Sequence, residues 1–553
     1  MSSSKTHEVS NQPPPLVPYN FYSTDEALKE SVRREGAGWA EEKLTRYGER
    51  IGSEEAVRWG FQANENPPVL KTHDRFGNRL DEVEFHPAWH SLLNLAVEFG
   101  IHSAPWAEPK EGAHVARAVL LFLASQNEFG HGCPISMTYA VVPALRKQPE
   151  LAAFWEPKIH STQYDSRFMP MAEKSGVLLG MGMTEKQGGS DVRANTTRAE
   201  PEGKGGSGNE YRITGHKWFC SAPMNDAFLI LAQTRGGLSC FLLPRWTPDG
   251  EKNRFFIQRL KNKLGNRSNA SSEVEFDQAY ARLVGEEGRG VSTIVEMVNH
   301  TRLDCVIGTA GMMRQALSQA LHHATFRSAF GKKLADQPLM QNVLADLTVE
   351  SEAATLLMMR LARAYDRRDD EAFEGPFRRI ATAVSKYWVC KRGPVFMGEA
   401  LECLGGNGFV EESIFPRLYR EAPLNSIWEG SGNVICLDVL RAMGKEPKTL
   451  EAFAEEVRLG KGKDPRLDAY LKSLEGEVSQ GAFQEARARR LVEKMAIALQ
   501  ASLLVRHGHP PLAEAFLASR LFNDAGRAFG TLPDGIDFKG IIERARVKNY
   551  SPT

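Results

Sequence analysis

A carboxylate lies between an aromatic residue and glycines near residue 430. Residues 427–433 read Ile-Trp-Glu-Gly-Ser-Gly-Asn, and an apolar helical pattern follows from Val434. Trp428 can keep water away from Glu429, and a carboxylate in a dry site becomes a stronger base. A Ser or Asn at the end of the segment can cap the helix that follows. Glu429 is therefore a candidate general base.

Two segments upstream could hold a planar cofactor. Residues 182–192 read Gly-Met-Thr-Glu-Lys-Gln-Gly-Gly-Ser-Asp-Val, a glycine-rich turn with two hydroxyl groups at a predicted strand end. Such a turn exposes backbone N–H groups to a heteroaromatic ring or a pyrophosphate. Residues 217–221, Lys-Trp-Phe-Cys-Ser, place two aromatic side chains in a predicted strand, where they could cover one face of a flavin. Alone, the first segment also fits a simple turn and the second a core Trp-Phe pair.

Two later segments suit a ligand with a phosphate tail. Residues 327–332, Arg-Ser-Ala-Phe-Gly-Lys, put a guanidinium beside a helix break, which suits a diphosphate. Residues 404–409, Leu-Gly-Gly-Asn-Gly-Phe, form a second glycine-rich turn, where a ligand or a partner subunit could approach the backbone closely. Because Arg327 alone would equally fit a solvated helix end, only the set of segments indicates a function.

The elements that must position these segments predict an α+β fold. Apolar residues recur at helical spacing in the first part of the chain, short apolar stretches separated by Gly, Pro and Asp turns follow, and long helical patterns then return. The predicted order is a disordered arm (1–24), an N-terminal helical domain (25–175), an antiparallel β domain (176–287), a helical bundle (288–444) and an extra C-terminal helical domain (445–553).

Composition excludes several classes of protein. The 553 residues carry 69 basic and 69 acidic side chains, which gives no general attraction to nucleic acid or membrane. The longest apolar run, near residues 118–124, is far shorter than the roughly 20 residues of a membrane span. Seven widely spaced cysteines, an odd number, indicate reduced thiols and a cytoplasmic protein. No metal is expected, because His86 and His90 are followed by no third ligand.

Together, these five segments resemble the acyl-CoA dehydrogenase family over roughly residues 90–444. Within the family the chain is most similar to the AidB branch, named for the adaptive response to alkylation. The similarity lies in residues 183–192, in Leu-Gly-Asn-Arg-Ser-Asn-Ala at 264–270 and in Asn-Ser-Ile-Trp-Glu-Gly-Ser-Gly-Asn at 425–433. The resemblance implies FAD as cofactor, a C-terminal four-helix bundle after the β domain, and an extra C-terminal helical unit.

The resemblance also implies roles for individual residues. It implies contacts with the flavin at Met183, Thr184, Ser190, Trp218, Phe219 and Cys220, and contacts with the FAD tail of a neighbouring subunit at Arg327, Phe330, Gly405 and Gly406. Ser431, Gly432 and Asn433 would complete the cofactor site. The substrate would contact Ser190, Arg302 and Gly430. FAD sites shared between subunits imply an oligomer, by resemblance a homotetramer.

The reaction implied is dehydrogenation of an acyl-CoA thioester. Glu429 would remove the α-hydrogen as a proton, and the β-hydrogen would leave as a hydride to flavin N5. Some family members carry the base one residue before an arginine that matches Arg302. Here that residue is Thr301, which cannot act as a base, so the assignment returns to Glu429. A carboxylate kept for structural reasons in an inactive descendant stays an alternative.

Three positions depart from the family pattern. Cys220 stands where most members have a hydroxyl that bonds flavin N5, and a thiol is a weaker donor. Ala329 and Pro338 replace polar residues that commonly touch the neighbour's FAD. We therefore expect slow or altered turnover.

A DNA-binding flavoprotein that protects DNA from alkylation is the competing hypothesis, because the AidB branch is also associated with double-stranded DNA. Residues 445–553 carry 18 Lys and Arg against 15 Asp and Glu, a small surplus. Arg487, Arg489, Arg490 and Lys494 could form one basic helix face, although a solvated surface is the commoner reading. A third possibility is that this unit only supports tetramer formation.

Overall fold

The computed structural model describes residues 6–367, 370, 372–479, 484–521 and 526–548. The helices are α1 (Glu26–Arg34), α2 (Glu41–Ile51), α3 (Glu54–Glu65), α4 (Pro87–Glu98), α5 (Ala104–Ala107), α6 (Ala113–Asn127), α7 (Gly132–Leu145), α8 (Pro149–Ile159), α9 (Gly290–Phe326), α10 (Pro338–Asp366), α11 (Glu374–Glu402), α12 (Gly406–Phe409), α13 (Phe415–Glu421), α14 (Gly432–Lys445), α15 (Pro447–Arg458), α16 (Pro465–Ser479), α17 (Ala488–His507), α18 (Pro510–Arg520) and α19 (Phe538–Ala545). The strands are β1 (Val69–His73), β2 (Arg79–Glu84), β3 (Leu179–Gly182), β4 (Arg198–Pro201), β5 (Glu210–Ser221), β6 (Ala227–Thr234), β7 (Gly237–Pro244), β8 (Phe255–Leu260), β9 (Ser271–Val284), β10 (Ser328–Ala329) and β11 (Lys332–Lys333).

The chain forms two compact units. One contains residues 55–308 and 427–434, and the other contains the described residues of 1–54, 309–426 and 435–553. The predicted order of helices, β domain and helices is confirmed. The domain limits expected from the sequence stay a prediction. None of the helices in the described ranges is long and apolar enough to cross a membrane.

The β part of the first unit is a seven-stranded sheet that closes on itself. Pairing runs β6–β4–β5–β9–β7 and returns to β6, while β3 pairs with β6 and β8 with β9. The sheet is mixed, which corrects the antiparallel prediction: β3 and β4 both run parallel to β6. The 44 residues that separate β3 from β6 are long enough for the crossover that a parallel pair requires. The interior of the ring is apolar, with Phe228, Phe241, Phe255 and Phe276 buried together.

The helical part of the first unit contains a hairpin that the sequence analysis missed. Strands β1 and β2 pair antiparallel within the stretch that was expected to be helical. Asp74 caps the turn, because its Oδ1 accepts hydrogen bonds from the backbone N–H groups of Phe76 and Asn78, and Gly77 takes the positive φ of 85° that the turn needs. The turn residues Asp-Arg-Phe-Gly-Asn at 74–78, with apolar residues among polar ones before and after them, are the sequence pattern that indicates this hairpin.

In the second unit, α10 packs against α11, α17, α18 and α19, so the last hundred residues pack directly on the bundle helices. The described part of the expected disordered arm is ordered instead: Leu16, Phe21 and Tyr22 are buried. Arg314 on α9 contacts both the segment before α1 and the end of α19, because its guanidinium donates to the carbonyl oxygens of Thr24 (3.4 Å) and Ala545 (2.9 Å). Apolar residues at 16 and 21–22 explain why this segment packs.

Candidate active site

Glu429 is held in an unusual backbone conformation. Its φ is 59°, in the left-handed region that residues other than glycine adopt only when their surroundings hold them there. Two consecutive residues of α9 supply those contacts: Thr301 Oγ1 donates to Glu429 Oε2 at 2.6 Å, and Arg302 Nε donates to the Glu429 carbonyl oxygen at 3.0 Å. Thr301, which the resemblance matches to the alternative base position, therefore contacts the carboxylate of Glu429.

The sequence analysis did not select Cys133, a buried thiol in the first turn of α7. Burial raises the pKa of this thiol to about 12, hydrogen bonding from Ser221 at the end of β5 opposes the rise, and the charge of Glu429 adds to it. The thiol is therefore neutral and is close enough to Glu429 to be influenced by its charge.

A buried ion pair shapes the glycine-rich turn of residues 182–192. Lys217 Nζ lies 2.8 Å from Glu185 Oε1, and neither side chain is exposed. The Glu185 carboxylate also accepts hydrogen bonds from the backbone N–H groups of Thr196 and Thr197. Burial opposes ionisation of Glu185, but the charge and hydrogen bond of Lys217 outweigh it and hold the pKa at about 2. The buried Glu185 carboxylate therefore joins the turn to Lys217 of β5 and to the backbone of Thr196 and Thr197.

The turn lies against the aromatic strand. The backbone N–H of Trp218 donates to the Thr184 carbonyl oxygen at 2.8 Å, so the turn and the strand are in direct contact. Met183 is partly buried and packs against the same apolar cluster as Trp428. Ser190 is exposed. The structure thus brings the predicted flavin-contact turn and the segment of the base onto one apolar cluster.

The strand turns its side chains in different directions. Phe219 is 49% exposed, and Lys261 Nζ lies 3.2 Å from the ring centroid of Trp218. Cys220, in contrast, is buried in the apolar interior of the sheet ring, so its thiol does not face the same side as Phe219. A contact between Cys220 and the flavin stays a prediction. The neighbouring Ser221 is half-buried at the end of β5.

The last part of the segment around the base leads into α14. Gly430 has a φ of 103°, which continues the unusual path of Glu429. Ser431 and Asn433 are exposed, and Gly432 begins α14. Both polar side chains are therefore accessible at the start of a helix, where exposed N–H groups favour a polar or anionic ligand.

The four residues predicted for the FAD tail lie in the second unit. Phe330 is 98% exposed, has a φ of 52°, and lies at the tip of the hairpin formed by β10 and β11, three residues after Arg327. Gly405 has a φ of 59°, and a side chain added at Gly405 or Gly406 would meet no atom of the chain within 4 Å. An exposed ring, a guanidinium and an open glycine turn are the features that a dinucleotide tail requires.

The histidines considered for a metal have other partners. His86 Nδ1 accepts from the backbone N–H of Ala88, and His90 Nδ1 lies 2.7 Å from the Tyr164 hydroxyl. His90 and Tyr164 line a cavity of about 310 Å³ that includes none of the residues predicted for the cofactor or the base. Among the described residues, no three His, Cys, Asp or Glu side chains are placed to bind a metal ion.

Several basic side chains after residue 445 form ion pairs. Arg466 pairs with Asp464 and Glu514, and Arg506 pairs with Glu456. The other basic residues of this region in ion pairs include Arg458, Lys494, Arg520, Arg544 and Arg546. Arg487, Arg489 and Arg490 are exposed near the start of α17. Carboxylates of this region and, for Arg520 and Arg544, of earlier helices therefore neutralise part of its positive charge.

Three domain families match the chain in sequence. They are the adaptive response protein AidB N-terminal domain at residues 11–166, the acyl-CoA dehydrogenase middle domain at 180–279 and the acyl-CoA dehydrogenase C-terminal domain at 288–444. The putative acyl-CoA dehydrogenase AidB of Escherichia coli is 46% identical over 93% of this chain and 94% of its own length. The two proteins thus match over nearly their whole lengths.

Solved structures agree with this relationship. Caenorhabditis elegans ACDH-11 in complex with C11-CoA superposes with a TM-score of 0.84 at 28% identity, covering 99% of this chain and 93% of that one. Butyryl-CoA dehydrogenase from Megasphaera elsdenii shares the fold, with a TM-score of 0.57 at 19% identity over 78% of this chain and all of that one. Proteins of this family are FAD-dependent flavoproteins. The chain therefore belongs to the acyl-CoA dehydrogenase family and is a homologue of AidB.

Proposed function

We propose that this protein is an FAD-dependent acyl-CoA dehydrogenase in which Glu429 is the catalytic base. The observation that carries the proposal is the pair of contacts from Thr301 and Arg302, which hold both the carboxylate and the backbone of Glu429 in a conformation that a residue other than glycine rarely adopts. Such a conformation costs about 1–3 kcal/mol, so contacts that maintain it indicate a use for the carboxylate.

The residues of the chain fit FAD. Phe219 and Phe330 leave aromatic surface exposed, which is unfavourable in water unless a flat ring or a partner covers it. Asn269 is 1% exposed, and neither polar atom of its side chain has a conventional hydrogen-bond partner in the described structure. The open turn at Gly405 and Gly406 allows a phosphate to approach the backbone. We infer that the turn at 182–192 and the end of β5 hold the ring of FAD, while Arg327, Phe330 and the second turn hold the tail of the FAD that a neighbouring subunit binds.

In the proposed reaction, the protein orients the acyl thioester and moves one proton. Glu429 removes the α-proton, and Trp428, packed against the apolar cluster, excludes water from one side of the carboxylate. The backbone N–H of Glu429 would donate to the thioester oxygen and stabilise its developing negative charge. Ser190, Arg302 and Gly430 stay predicted substrate contacts. Bound FAD supplies hydride acceptance at N5.

The first prediction concerns the cofactor. The purified full-length protein is expected to be yellow, and removal of the cofactor should give an apoprotein that regains flavin absorbance when FAD is added. Flavin absorbance and the stoichiometry of FAD per chain measure this. A colourless protein that takes up no added FAD would contradict the proposed cofactor and with it the reaction.

A second prediction concerns the hydrogen bond to the base. Thr301→Val removes the hydroxyl that donates to Glu429 Oε2, a hydrogen bond that favours the charged carboxylate. Because the base acts in its deprotonated form, the acid limb of the pH–rate profile for flavin reduction should move to higher pH. A hydrogen bond to a charged group stabilises that group by about 1.5–3 kcal/mol, so its loss mainly makes Glu429 harder to deprotonate. At high pH the carboxylate is deprotonated in both proteins, and the rate should therefore fall by less than about tenfold. Thr301→Ser keeps the hydroxyl and should leave the profile in place; an unshifted profile for Thr301→Val would show that the contact does not tune the base.

The DNA-binding alternative stays a prediction, because the ion pairs involve only part of the basic residues of 445–553 and leave Arg487, Arg489 and Arg490 exposed. A homotetramer is part of the proposal, and the exposed Phe330 and Phe409 are apolar surface that a second subunit or its cofactor could cover. An acyl-CoA thioester as substrate and a cytoplasmic location likewise stay predictions.

A further inference from the structure

We propose that residues 11–14, here called the N-terminal strap, position the side chains that hold the FAD tail. This inference rests on the proposed function, because it assumes that Arg327, Phe330 and the turn at Gly405–Gly406 contact the diphosphate and adenosine of FAD. It assigns a role to a segment that precedes every motif by which the family was recognised.

The strap is joined to the hairpin of β10 and β11 by three hydrogen bonds from one residue. Asn11 Nδ2 donates to the Ser328 carbonyl oxygen at 2.8 Å, Asn11 Oδ1 accepts from the Ser328 backbone N–H at 2.7 Å, and the Asn11 carbonyl oxygen accepts from Arg327 Nη1 at 2.6 Å. The side chain of Asn11 thus pairs with the backbone of Ser328 as a neighbouring strand would. A φ of 56°, which Asn tolerates better than most residues, allows this approach.

The same strap reaches the second predicted tail element. Gln12 Oε1 accepts from Asn407 Nδ2 at 3.1 Å, directly after the glycine turn. Pro14 also takes part, since its carbonyl oxygen lies 2.7 Å from His322 Nε2 on α9. Three of the four residues of the strap therefore contact α9, the hairpin that carries Phe330 and the turn that carries Gly406, all within one compact unit.

These contacts have a consequence for binding. An arginine side chain has many rotamers, and the conformational entropy that it loses when a ligand binds lowers the affinity for that ligand. Arg327 is already restrained by the Asn11 carbonyl oxygen, and Asn407 by Gln12. The strap thus prepares the tail site before the cofactor arrives, and its loss should weaken binding of the tail while leaving the ring site unchanged.

The test separates the two ends of the cofactor. Apoprotein is titrated with FAD, with ADP as a tail without a ring, and with FMN as a ring without the adenosine. The variant Asn11→Gly removes the two side-chain hydrogen bonds to Ser328 that hold the Asn11 carbonyl oxygen against Arg327 Nη1. A chain that starts at Pro13 removes Asn11 and Gln12 together. Val9→Ala, at a residue of the same segment that is 79% exposed, is the matched control.

We expect the Kd of FAD and of ADP to rise about tenfold in Asn11→Gly, as the loss of about 1.4 kcal/mol of hydrogen bonding and preorganisation requires, and further in the shortened chain. The Kd of FMN and the melting temperature of the apoprotein should stay as in the wild type. Unchanged FAD and ADP binding in both variants would overturn the inference alone, as would an equal loss for all three ligands together with a lower melting temperature. A wild-type chain that binds none of the three would instead overturn the proposed function.

Discussion

Glu429→Gln is expected to abolish the acyl-CoA-dependent bleaching of the flavin while FAD stays bound. Glutamine has nearly the same shape as glutamate and can still accept the hydrogen bond from Thr301 Oγ1, but it cannot take up the α-proton. A positioned general base contributes about 10²- to 10⁴-fold to the rate, so we expect flavin reduction to slow by about a thousandfold. Stopped-flow absorbance with a panel of acyl-CoA thioesters measures this rate and also gives the preferred acyl chain.

Two comparisons make the result specific. Glu412→Gln changes an exposed glutamate outside the site and should reduce flavin at the wild-type rate. The FAD content of Glu429→Gln should equal that of the wild type, because the carboxylate is not among the groups proposed to hold the cofactor. Bleaching at the wild-type rate would mean that another group removes the proton.

Lys217→Met is expected to lower the stability of the protein more than any surface substitution. The change leaves the Glu185 carboxylate, which is fully buried, without its cation. Breaking a buried pair by removal of one partner costs about 3–5 kcal/mol. Because Glu185 also binds the backbone of residues 196 and 197, we expect the turn at 182–192 to loosen and FAD affinity to fall with stability. Chemical denaturation of the apoprotein and flavin release on heating measure the two effects.

Charge neutralisation in pairs provides the control. The double variant Glu185→Leu with Lys217→Met removes both charges and should recover much of the lost stability, whereas Lys186→Met breaks an exposed pair with Glu275 and should cost less than about 1 kcal/mol.

The buried pair should also make the stability of the protein depend on pH. The pKa of Glu185 is held at about 2, below its ordinary 4.5, so the stability that the pair contributes is present above about pH 4.5 and is lost as the pH falls toward 2. Equal stability of Lys217→Met and Lys186→Met would contradict a structural role for the buried pair.

The order of the structural blocks and the segment of the base could be predicted from the sequence because both depend on local patterns. Helical periodicity marks α9 and α10, and the contrast between apolar stretches and glycine turns marks the β part. Glu429 could be identified from its neighbours in sequence, because a carboxylate between Trp428 and Gly430 indicates a candidate base without knowledge of the fold.

Long-range geometry could not be predicted in the same way. The side chain of Cys220 points into the ring because the pairing of β5 with β9 shifts register between Lys217 and Cys220, a bulge that no local pattern reveals. The contact of Cys133 with Ser221 joins residues 88 positions apart, and the strap joins residues more than 300 apart. Such contacts depend on the whole fold, and the extra residue of a bulge decides which side of the sheet each following side chain faces.

The two hydrogen bonds of Arg314 make distant parts of the second unit depend on one side chain. Thr24 and Ala545, far apart in sequence, both present a carbonyl oxygen to this guanidinium of α9. A change at Arg314 would therefore loosen the segment before α1 and the end of α19 at the same time, so these two segments are expected to gain or lose protection from hydrogen exchange together.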